Sequence, residues 1–321
     1  MEIIRVGGKR YTDPDILSLI RATGGLVDPR SAVLNQACEL TARLRAFDGV
    51  PTDALQRLSV LASMVGIKTV EMNLDQQKKE TRDAILLPTA DGKRLIIYNP
   101  QRPRSRCAFS IAHEIAHTFF PNSVAGARFR GICRSDSKEA NELERLCDLG
   151  AAELLLPLQE FQEAVASEYS LVSVPRLCER FGSSFEATVF RLASAHPGVA
   201  VAGLLRHRLR LGEERATSST LQGSLFSDAR STSEIQFEAK YRRQSLHLSA
   251  ACTDEHAVRW NKSFDRSSVV YRAPLTAGIV SAYETLPSRS GMMGRLEAMR
   301  APYQGGKGDP TFPDVLFLWT A

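Results

Sequence analysis

Two histidines in the sequence His113-Glu-Ile-Ala-His117 place the strongest constraint on how this chain can fold. On an α-helix, positions i and i+4 share a face, so both imidazoles reach one metal ion only if this segment is helical. Apolar residues at three- and four-residue spacing over Ser105–Phe120 predict such a helix, buried on its other side. Glu114 would then lie beside the ion. The motif therefore predicts a metal-binding helix with His113 and His117 as ligands.

A third ligand is expected on the next amphipathic helix, predicted over Glu139–Leu156. Glu144 and Asp148 are four residues apart there and share a face. Taken alone they would suit a solvated helix face, but beside the histidine pair they complete a gluzincin-like pattern. Glu144 can bind the metal, while Asp148 accepts the outward N–H of a ligand histidine. We therefore predict one zinc ion, which Mn²⁺ could replace, with an open position for water.

The predicted chemistry is peptide hydrolysis. Zinc bound by two imidazoles and a carboxylate lowers the pKa of its water towards ~7. Glu114, which is not a ligand, would act as the general base for that water. Tyr98, Tyr169 and Arg191 are candidate donors to the oxygen that becomes negative, although each is also an ordinary packing or surface residue. The strand predicted at Arg94–Asn99 is expected to offer an edge to an extended substrate.

Three further stretches carry a family resemblance. Residues 94–99, followed by Arg106-Cys-Ala-Phe-Ser-Ile-Ala-His-Glu-Ile-Ala-His117, fit a strand and an R-x-x-F-[ST]-x-A-H-E-x-x-H run. Residues 144–157 fit an E-x-x-A-[ND]-x-F-A-x-x-L-L-M-P run, with Cys147 and Gly150 in place of Ala and Phe. Residues 181–192 fit the helix that follows. Over residues 51–192 the chain thus resembles the ImmA/IrrE-type zinc metallopeptidases.

The resemblance implies a fold, a site and a substrate. The α+β fold would be a helical gluzincin-like metallopeptidase domain with a small sheet, followed by a smaller α/β, GAF-like sensor domain as in IrrE-like and CapP-like members. The ligands would be His113, His117 and Glu144, with Glu114 as the base. The substrate would be a helix-turn-helix transcriptional repressor, cleaved at a specific site in response to DNA damage, phage or stress, with single-stranded DNA as a candidate trigger.

Two alternatives from other classes remain at this point. The chain could be a non-catalytic DNA- or ligand-binding regulator whose zinc site is structural. It could also be an antitoxin-type or toxin-associated partner that works through binding. Glu114 argues against a purely structural site, because such a site has no use for that carboxylate.

The length of 321 residues predicts about two domains. We expect an N-terminal extension at 1–50, the metallopeptidase domain at 51–197, and the sensor domain at 198–321 with a mobile loop at 212–234. Further helices are predicted at Ser31–Phe47 (opened by Asp28 and Pro29), after Pro51 to Val65, and at Leu158–Ser167, Val174–Phe181 and Phe185–Ala195. Strands are predicted at Ile67–Met72, Ala84–Leu87, Arg94–Asn99, Ala200–Leu211 and Asp314–Thr320, with an Asp91-Gly92 turn between the second and third.

Basic residues are concentrated in the second part of the chain. Residues 1–195 hold 25 Lys and Arg against 24 Asp and Glu, whereas residues 196–321 hold 16 against 12. Five arginines there lie among aromatic residues, as expected for single-stranded nucleic acid bound through phosphates and stacked bases. They are Arg206, Arg208, Arg210, Arg242 and Arg243. A solvated strand face is the alternative interpretation.

Cysteine usage and hydropathy bear on location. The six cysteines form no CxxC pair, and no apolar run approaches the ~20 residues that span a bilayer. The first residues contain no apolar export segment, so we expect a cytoplasmic protein without a membrane partner. Cys133 lies between the two metal helices, flanked by Arg130 and Arg134, and could bind the open zinc position as an inhibitory cysteine switch. An ordinary free cysteine is the alternative.

Overall fold

A computed structural model describes residues 3–25, 27–47, 49–75, 82–121, 128–131, 138–166, 168–210, 212–215, 237–302 and 312–321. The chain divides into two compact units, one of residues 1–164 with 176–184 and one of residues 165–175 with 185–321. Helices and small sheets occur in both, which confirms the predicted α+β class. The domain boundaries at residues 51 and 197 stay predictions. In the observed division, the first 50 residues group with the first unit.

Helices make up most of the first unit. Along the chain to residue 181 they are α1 (Pro14–Ala22), α2 (Pro29–Arg45), α3 (Ala54–Met64), α4 (Arg104–His117), α5 (Lys138–Leu155), α6 (Leu158–Val165) and α7 (Val174–Phe181). The predicted helices lie within three residues of these bounds. Gly66 follows the end of α3 with φ +75, the left-handed conformation that favours glycine.

The start of α2 differs in one respect from the prediction. Pro29 lies in the first turn, as expected, but the Asp28 side chain forms no capping hydrogen bond. Asp28 instead accepts a hydrogen bond of 3.2 Å from the hydroxyl of Tyr11. Asp28 is therefore the N-cap residue of α2, as predicted, but its side chain bonds Tyr11 and not the helix backbone. Tyr11 belongs to a short hairpin of β1 (Ile4–Val6) and β2 (Lys9–Tyr11) that the sequence pattern did not indicate.

The larger sheet of the first unit contains β3 (Ile67–Glu71), β4 (Arg82–Pro88), β5 (Arg94–Tyr98) and β6 (Arg128–Gly131). Its order is β3-β5-β4-β6, with β3 and β5 parallel. The β4–β5 hairpin turns at Gly92, which confirms the predicted turn. The prediction that residues 94–99 form an open edge is wrong, because β5 pairs on both sides.

Close packing of α5 against α4 and α2 depends on Gly150. A Cβ atom at this position would lie 3.0 Å from the Ala116 Cβ and 3.0 Å from Val33 Cγ1. Any larger residue would therefore push α5 away from the two helices. Gly150 thus allows the backbones of α4 and α5 to approach each other closely.

The second unit is built on a five-stranded sheet. Its strands are β7 (Ala200–Arg208), β8 (Lys240–Leu248), β9 (Val280–Thr285), β10 (Met293–Arg300) and β11 (Val315–Thr320), in the antiparallel order β8-β7-β11-β10-β9. Helix α8 (Phe185–Ala195) contacts β7, β8 and β11, and α9 (Val269–Arg272) contacts β9 and β10. A buried cluster that includes Tyr241, Phe317 and Trp319 fills the core.

The final strand lies in the middle of this sheet. β11 pairs with β7 on one side and β10 on the other, and Val315 to Trp319 are all buried. Gly203 on β7 is required there, since a Cβ atom would lie 2.5 Å from the Phe317 ring and 2.8 Å from the Ser245 carbonyl oxygen. Among the described residues, no helix is long and apolar enough to span a membrane.

Candidate metal centre

Helix α4 brings the two histidines of the motif together inside the first unit. Both are buried, with exposed fractions of 1% for His113 and 3% for His117. The two Nε2 atoms are 3.2 Å apart, and the rings meet edge to face with centroids separated by 4.9 Å. Both imidazoles therefore present the same nitrogen to one point, as the i, i+4 spacing predicts.

Glu144 on α5 faces the same point. Its Oε2 lies 3.1 Å from the Nε2 of His113, and its Oε1 lies 3.7 Å from the Nε2 of His117. Partial burial opposes ionisation of this carboxyl, but the contact with His113 and the electrostatic attraction of both histidines outweigh burial, so the pKa of Glu144 is lowered. The side chain is half exposed, which leaves the point open to solvent.

These three donors fit a tetrahedral zinc ion. Zinc bonds of ~2.0–2.1 Å to nitrogen or oxygen place neighbouring ligand atoms about 3.3 Å apart. The three separations here run from 3.1 to 3.7 Å. Two neutral imidazoles and one carboxylate are also the donor types that this ion prefers. The donor set and its spacing therefore suit one zinc ion with a fourth position for water.

The outward nitrogens of both histidines have partners on α5. His113 Nδ1 lies 2.9 Å from Asp148 Oδ1, the relationship that the ExxxD spacing predicts. His117 Nδ1 lies 3.3 Å from the Sγ atom of Cys147, which is fully buried. The sequence pattern indicated Cys147 only as a residue in place of alanine and did not predict this contact. Its position next to Asp148, on a helix facing α4, was the available signal.

Cys147 is also close enough to count among the donors. One ligand atom each from His113, His117 and Cys147 lie within 4.8 Å of one another. Both Nε2 atoms, however, face the carboxylate of Glu144, whereas the thiol contacts the opposite nitrogen of His117. One ion cannot use both nitrogens of a single imidazole, so the geometry favours Glu144 as the third ligand.

Glu114 lies on α4 between the two histidines and is fully buried. Glu114 follows the predicted ligand His113 directly in the sequence, whereas the predicted third ligand, Glu144, comes from α5. The structure thus keeps the predicted base and the predicted ligand on different helices. The role of Glu114 as the general base stays a prediction.

Ion pairs fix the N-terminal turn of α4 to the sheet. Arg102 and Arg106 donate hydrogen bonds of 2.9 and 2.8 Å to the two oxygens of Asp83 on β4. Asp83 is buried, so these charge-assisted bonds hold the start of the metal helix against the strand. The arginine that opens the R-x-x-F run therefore positions α4.

The remaining predicted site residues are Tyr98, Tyr169, Arg191 and Cys133. Tyr98 donates a hydrogen bond of 2.5 Å to Glu71, and burial together with this bond raises the pKa of Tyr98. Tyr169 and Arg191 belong to the second unit, where the Tyr169 ring packs against His196 at a centroid distance of 4.9 Å. Cys133, the candidate cysteine switch, lies outside the described residues.

Three of the five arginines that were predicted to contact nucleic acid pair instead with acidic side chains of the second unit. Arg206 forms a bidentate pair with buried Asp314, at 3.1 and 2.8 Å. Arg210 and Arg242 each approach Glu213 at 3.8 Å. Arg242 is 2% exposed, and this burial lowers the pKa of its guanidinium. These ion pairs engage the guanidinium groups of all three arginines within the second unit.

The remaining two arginines surround one exposed aromatic ring. The guanidinium carbons of Arg208 and Arg243 lie 4.7 and 5.2 Å from the centroid of the Trp260 ring. Trp260 is 38% exposed. A partly open indole with two cations over it can stack a base and attract a phosphate. We call Arg208, Arg243 and Trp260 the Trp260 cluster. The mobile loop predicted at 212–234 lies outside the described residues from residue 216 onward.

Comparisons with known proteins agree with the motif. Residues 62–193 match the IrrE N-terminal-like domain, Peptidase_M78. The structure is similar to that of a Mycobacterium tuberculosis transcriptional regulator, with 19% identity and a TM-score of 0.48, covering 95% of this chain and 80% of that chain. A search of curated proteins found no match. The segment that matches the IrrE N-terminal-like domain of the Peptidase_M78 family contains the HExxH helix and α5.

Proposed function

We propose that this protein is a zinc-dependent endopeptidase that cleaves a helix-turn-helix transcriptional repressor at a specific site. One observation carries the proposal, namely the convergence of two imidazole nitrogens and a carboxylate on one point, next to a helix that also carries the buried Glu114. The setting is a Peptidase_M78 domain. A structural zinc site would close all four positions with protein donors, whereas three donors leave room for water.

In this proposal each residue has a defined task. His113, His117 and Glu144 would hold the zinc ion, and a bound zinc would supply Lewis-acid chemistry to the scissile carbonyl and to a water molecule. Glu114 accepts the proton of the attacking water and delivers it to the leaving amine. Asp148 accepts the N–H of His113 and keeps the opposite nitrogen directed at the ion. Solvent access past the half-exposed Glu144 leaves a route for the substrate carbonyl.

We further propose that the second unit is a GAF-like sensor that receives the signal, with single-stranded DNA as the favoured signal. The Trp260 cluster supports this assignment, since its indole face and two guanidiniums match the stacking and phosphate contacts of single-stranded nucleic acid. DNA damage, phage infection or stress would supply such DNA. Repressor cleavage would then relieve repression.

The proposed setting is the cytoplasm. The cysteines among the described residues, at positions 38, 107, 147, 178 and 252, are all free thiols. Free thiols suit a reducing compartment, and the helix-turn-helix substrate is itself found with DNA. No partner in a membrane is required for this activity.

The deciding experiment incubates the zinc-loaded full chain with the helix-turn-helix protein encoded beside its gene. Intact-mass spectrometry should find two fragments whose masses sum to the repressor plus one water, and single-stranded DNA should speed their appearance. The Glu114→Gln variant is the matched control and should leave the repressor whole. An intact repressor with the wild-type protein, with and without DNA, would favour the alternative of a non-catalytic regulator with a structural zinc.

A further inference from the structure

The two metal-binding imidazoles are held from behind by chemically different groups. Asp148 lies 2.9 Å from His113 Nδ1, while the Sγ atom of Cys147 lies 3.3 Å from His117 Nδ1. Asp148 is half exposed, whereas Cys147 is fully buried. Both come from adjacent positions of α5. Helix α5 therefore supplies the partner of the Nδ1 atom for both histidines of α4.

An imidazole that binds a metal through Nε2 must carry its hydrogen on Nδ1. That N–H needs an acceptor, because an unsatisfied buried donor costs roughly 1–3 kcal/mol. For His117, which is 3% exposed, the thiol sulfur stands at the hydrogen-bond distance typical of sulfur. A sulfur atom is a weak hydrogen-bond acceptor. Because it is large, it also fills the space that a water molecule or a second rotamer of His117 would need.

Alanine at this position would leave this role empty. Its methyl group can accept no hydrogen bond, so the contact to His117 Nδ1 would be lost. Cysteine at 147 adds an acceptor without adding the charge that a second carboxylate would bring into this buried place. The residue type and the contact together indicate that Cys147 orients His117 in addition to filling space.

We propose that Cys147 is a positioning residue for the metal centre: its sulfur accepts the Nδ1–H of His117 and fixes the tautomer and rotation with which Nε2 faces the zinc ion. This inference rests on the proposed function, since it assumes that His117 binds zinc. It excludes Cys147 as a direct ligand.

The test measures zinc affinity of the full-length protein by competition with a chromophoric chelator. Cys147→Ala should bind zinc about 10-fold more weakly, the lower end for loss of a group behind a ligand histidine. Cys147→Ser, which restores an acceptor, should recover affinity to within about 3-fold of wild type. Cys107→Ala is the matched control, because Cys107 is a buried thiol on α4 whose Sγ contacts the carbonyl of Asn99 at 3.3 Å. Its affinity should be unchanged.

Two spectroscopic readouts separate positioning from packing and from ligation. Long-range ¹H–¹⁵N spectra of the zinc-loaded protein should show His117 protonated at Nδ1, with that resonance displaced in Cys147→Ser. The cobalt-substituted protein should lack a sulfur-to-metal charge-transfer band. Unchanged affinity in Cys147→Ala, or a sulfur–cobalt band that disappears in it, would overturn the inference.

The same measurements keep the two proposals distinguishable. If the wild-type protein binds no zinc, both the proposed function and this inference are refuted. Tight zinc binding that is insensitive to Cys147→Ala would remove the inference alone. If Cys147→Ala fails to fold, the Cys147→Ser affinity and the wild-type spectra still decide the question.

Discussion

The Nε2 atoms of His113 and His117 face each other at 3.2 Å within a buried site. Two neutral imidazole lone pairs directed at one another repel, so the pair is satisfied only when a cation or a shared hydrogen lies between them. The nearby Glu144 carboxylate adds negative charge at the same point. The side chains are thus arranged for a positive ion before one binds.

Replacing the base should separate metal binding from hydrolysis. We expect Glu114→Gln to retain zinc, because Glu114 is not among the three converging donors, and to lose at least about 100-fold in cleavage rate. Zinc content by atomic absorption and cleavage by mass spectrometry measure the two effects. The control His113→Ala should lose both. Cleavage at the wild-type rate by Glu114→Gln would refute the assignment of the base.

Removing the carboxylate behind His113 should weaken the metal site without emptying it. Asp148→Ala is expected to lower zinc affinity by about 10- to 100-fold, since the His113 N–H then loses its acceptor. Chelator competition gives the number. The control is Arg145→Ala on the same helix, whose side chain is 77% exposed and pairs with Glu142. Equal affinities for both variants would contradict the role of Asp148.

The start of α3 offers a test of pH dependence. Asp53 accepts a hydrogen bond of 3.0 Å from the Gln56 amide, and this bond, against partial burial and together with Arg104, lowers the pKa of Asp53 below 3.8. A lowered pKa contributes stability above pH 3.8, which is lost as the pH falls through the lowered value. We expect Asp53→Ala to reduce the free energy of unfolding by about 1 kcal/mol at pH 7.

That difference should shrink when urea unfolding is repeated at lower pH, because wild-type Asp53 becomes protonated. The exposed pair with Arg104 adds little. Asp53→Asn, which keeps a capping acceptor, should stay close to wild type at pH 7. A deficit in Asp53→Ala that is the same at pH 7 and pH 3 would contradict the assigned pKa shift.

Tryptophan fluorescence can test the Trp260 cluster. Trp319 is buried and Trp260 is partly exposed, so an oligothymidine should quench only the second. Trp260→Ala should abolish quenching and weaken binding about 10-fold, within the range for one stacked base. Tyr283→Ala, which removes an aromatic side chain that is 75% exposed in the same unit, should bind normally. Equal weakening by both variants would show that stacking at Trp260 is not specific.

Glycine at the sheet centre should be irreplaceable. We expect Gly203→Ala to destabilise the second unit by about 1–3 kcal/mol, because its Cβ would overlap the Phe317 ring. Gly278→Ala is the control, since no atom lies within 4 Å of its would-be Cβ. Thermal unfolding followed by near-ultraviolet circular dichroism reports on the buried aromatic residues. A normal melting temperature for Gly203→Ala would show that the sheet can yield there.

The local parts of the fold could be predicted and the non-local parts could not. Helices α4 and α5 and the placement of Glu144 and Asp148 follow from spacings within one or two helical turns. The Cys147 contact depends on how α5 is rotated against α4, which the packing at Gly150 decides. Likewise, the strand at 94–98 was visible, but its parallel pairing with β3 joins segments more than twenty residues apart.

The central place of β11 has a consequence for the order of assembly. The β7–β8 and β9–β10 pairs can each form from residues that precede 301, but both remain separate hairpins until residues 315–320 enter between them. During synthesis the second unit therefore cannot close before the ribosome has passed residue 320, when every ligand of the metal centre has long been made. A chain cut short before β11 would carry the residues of the candidate metal centre without a completed sheet in the second unit.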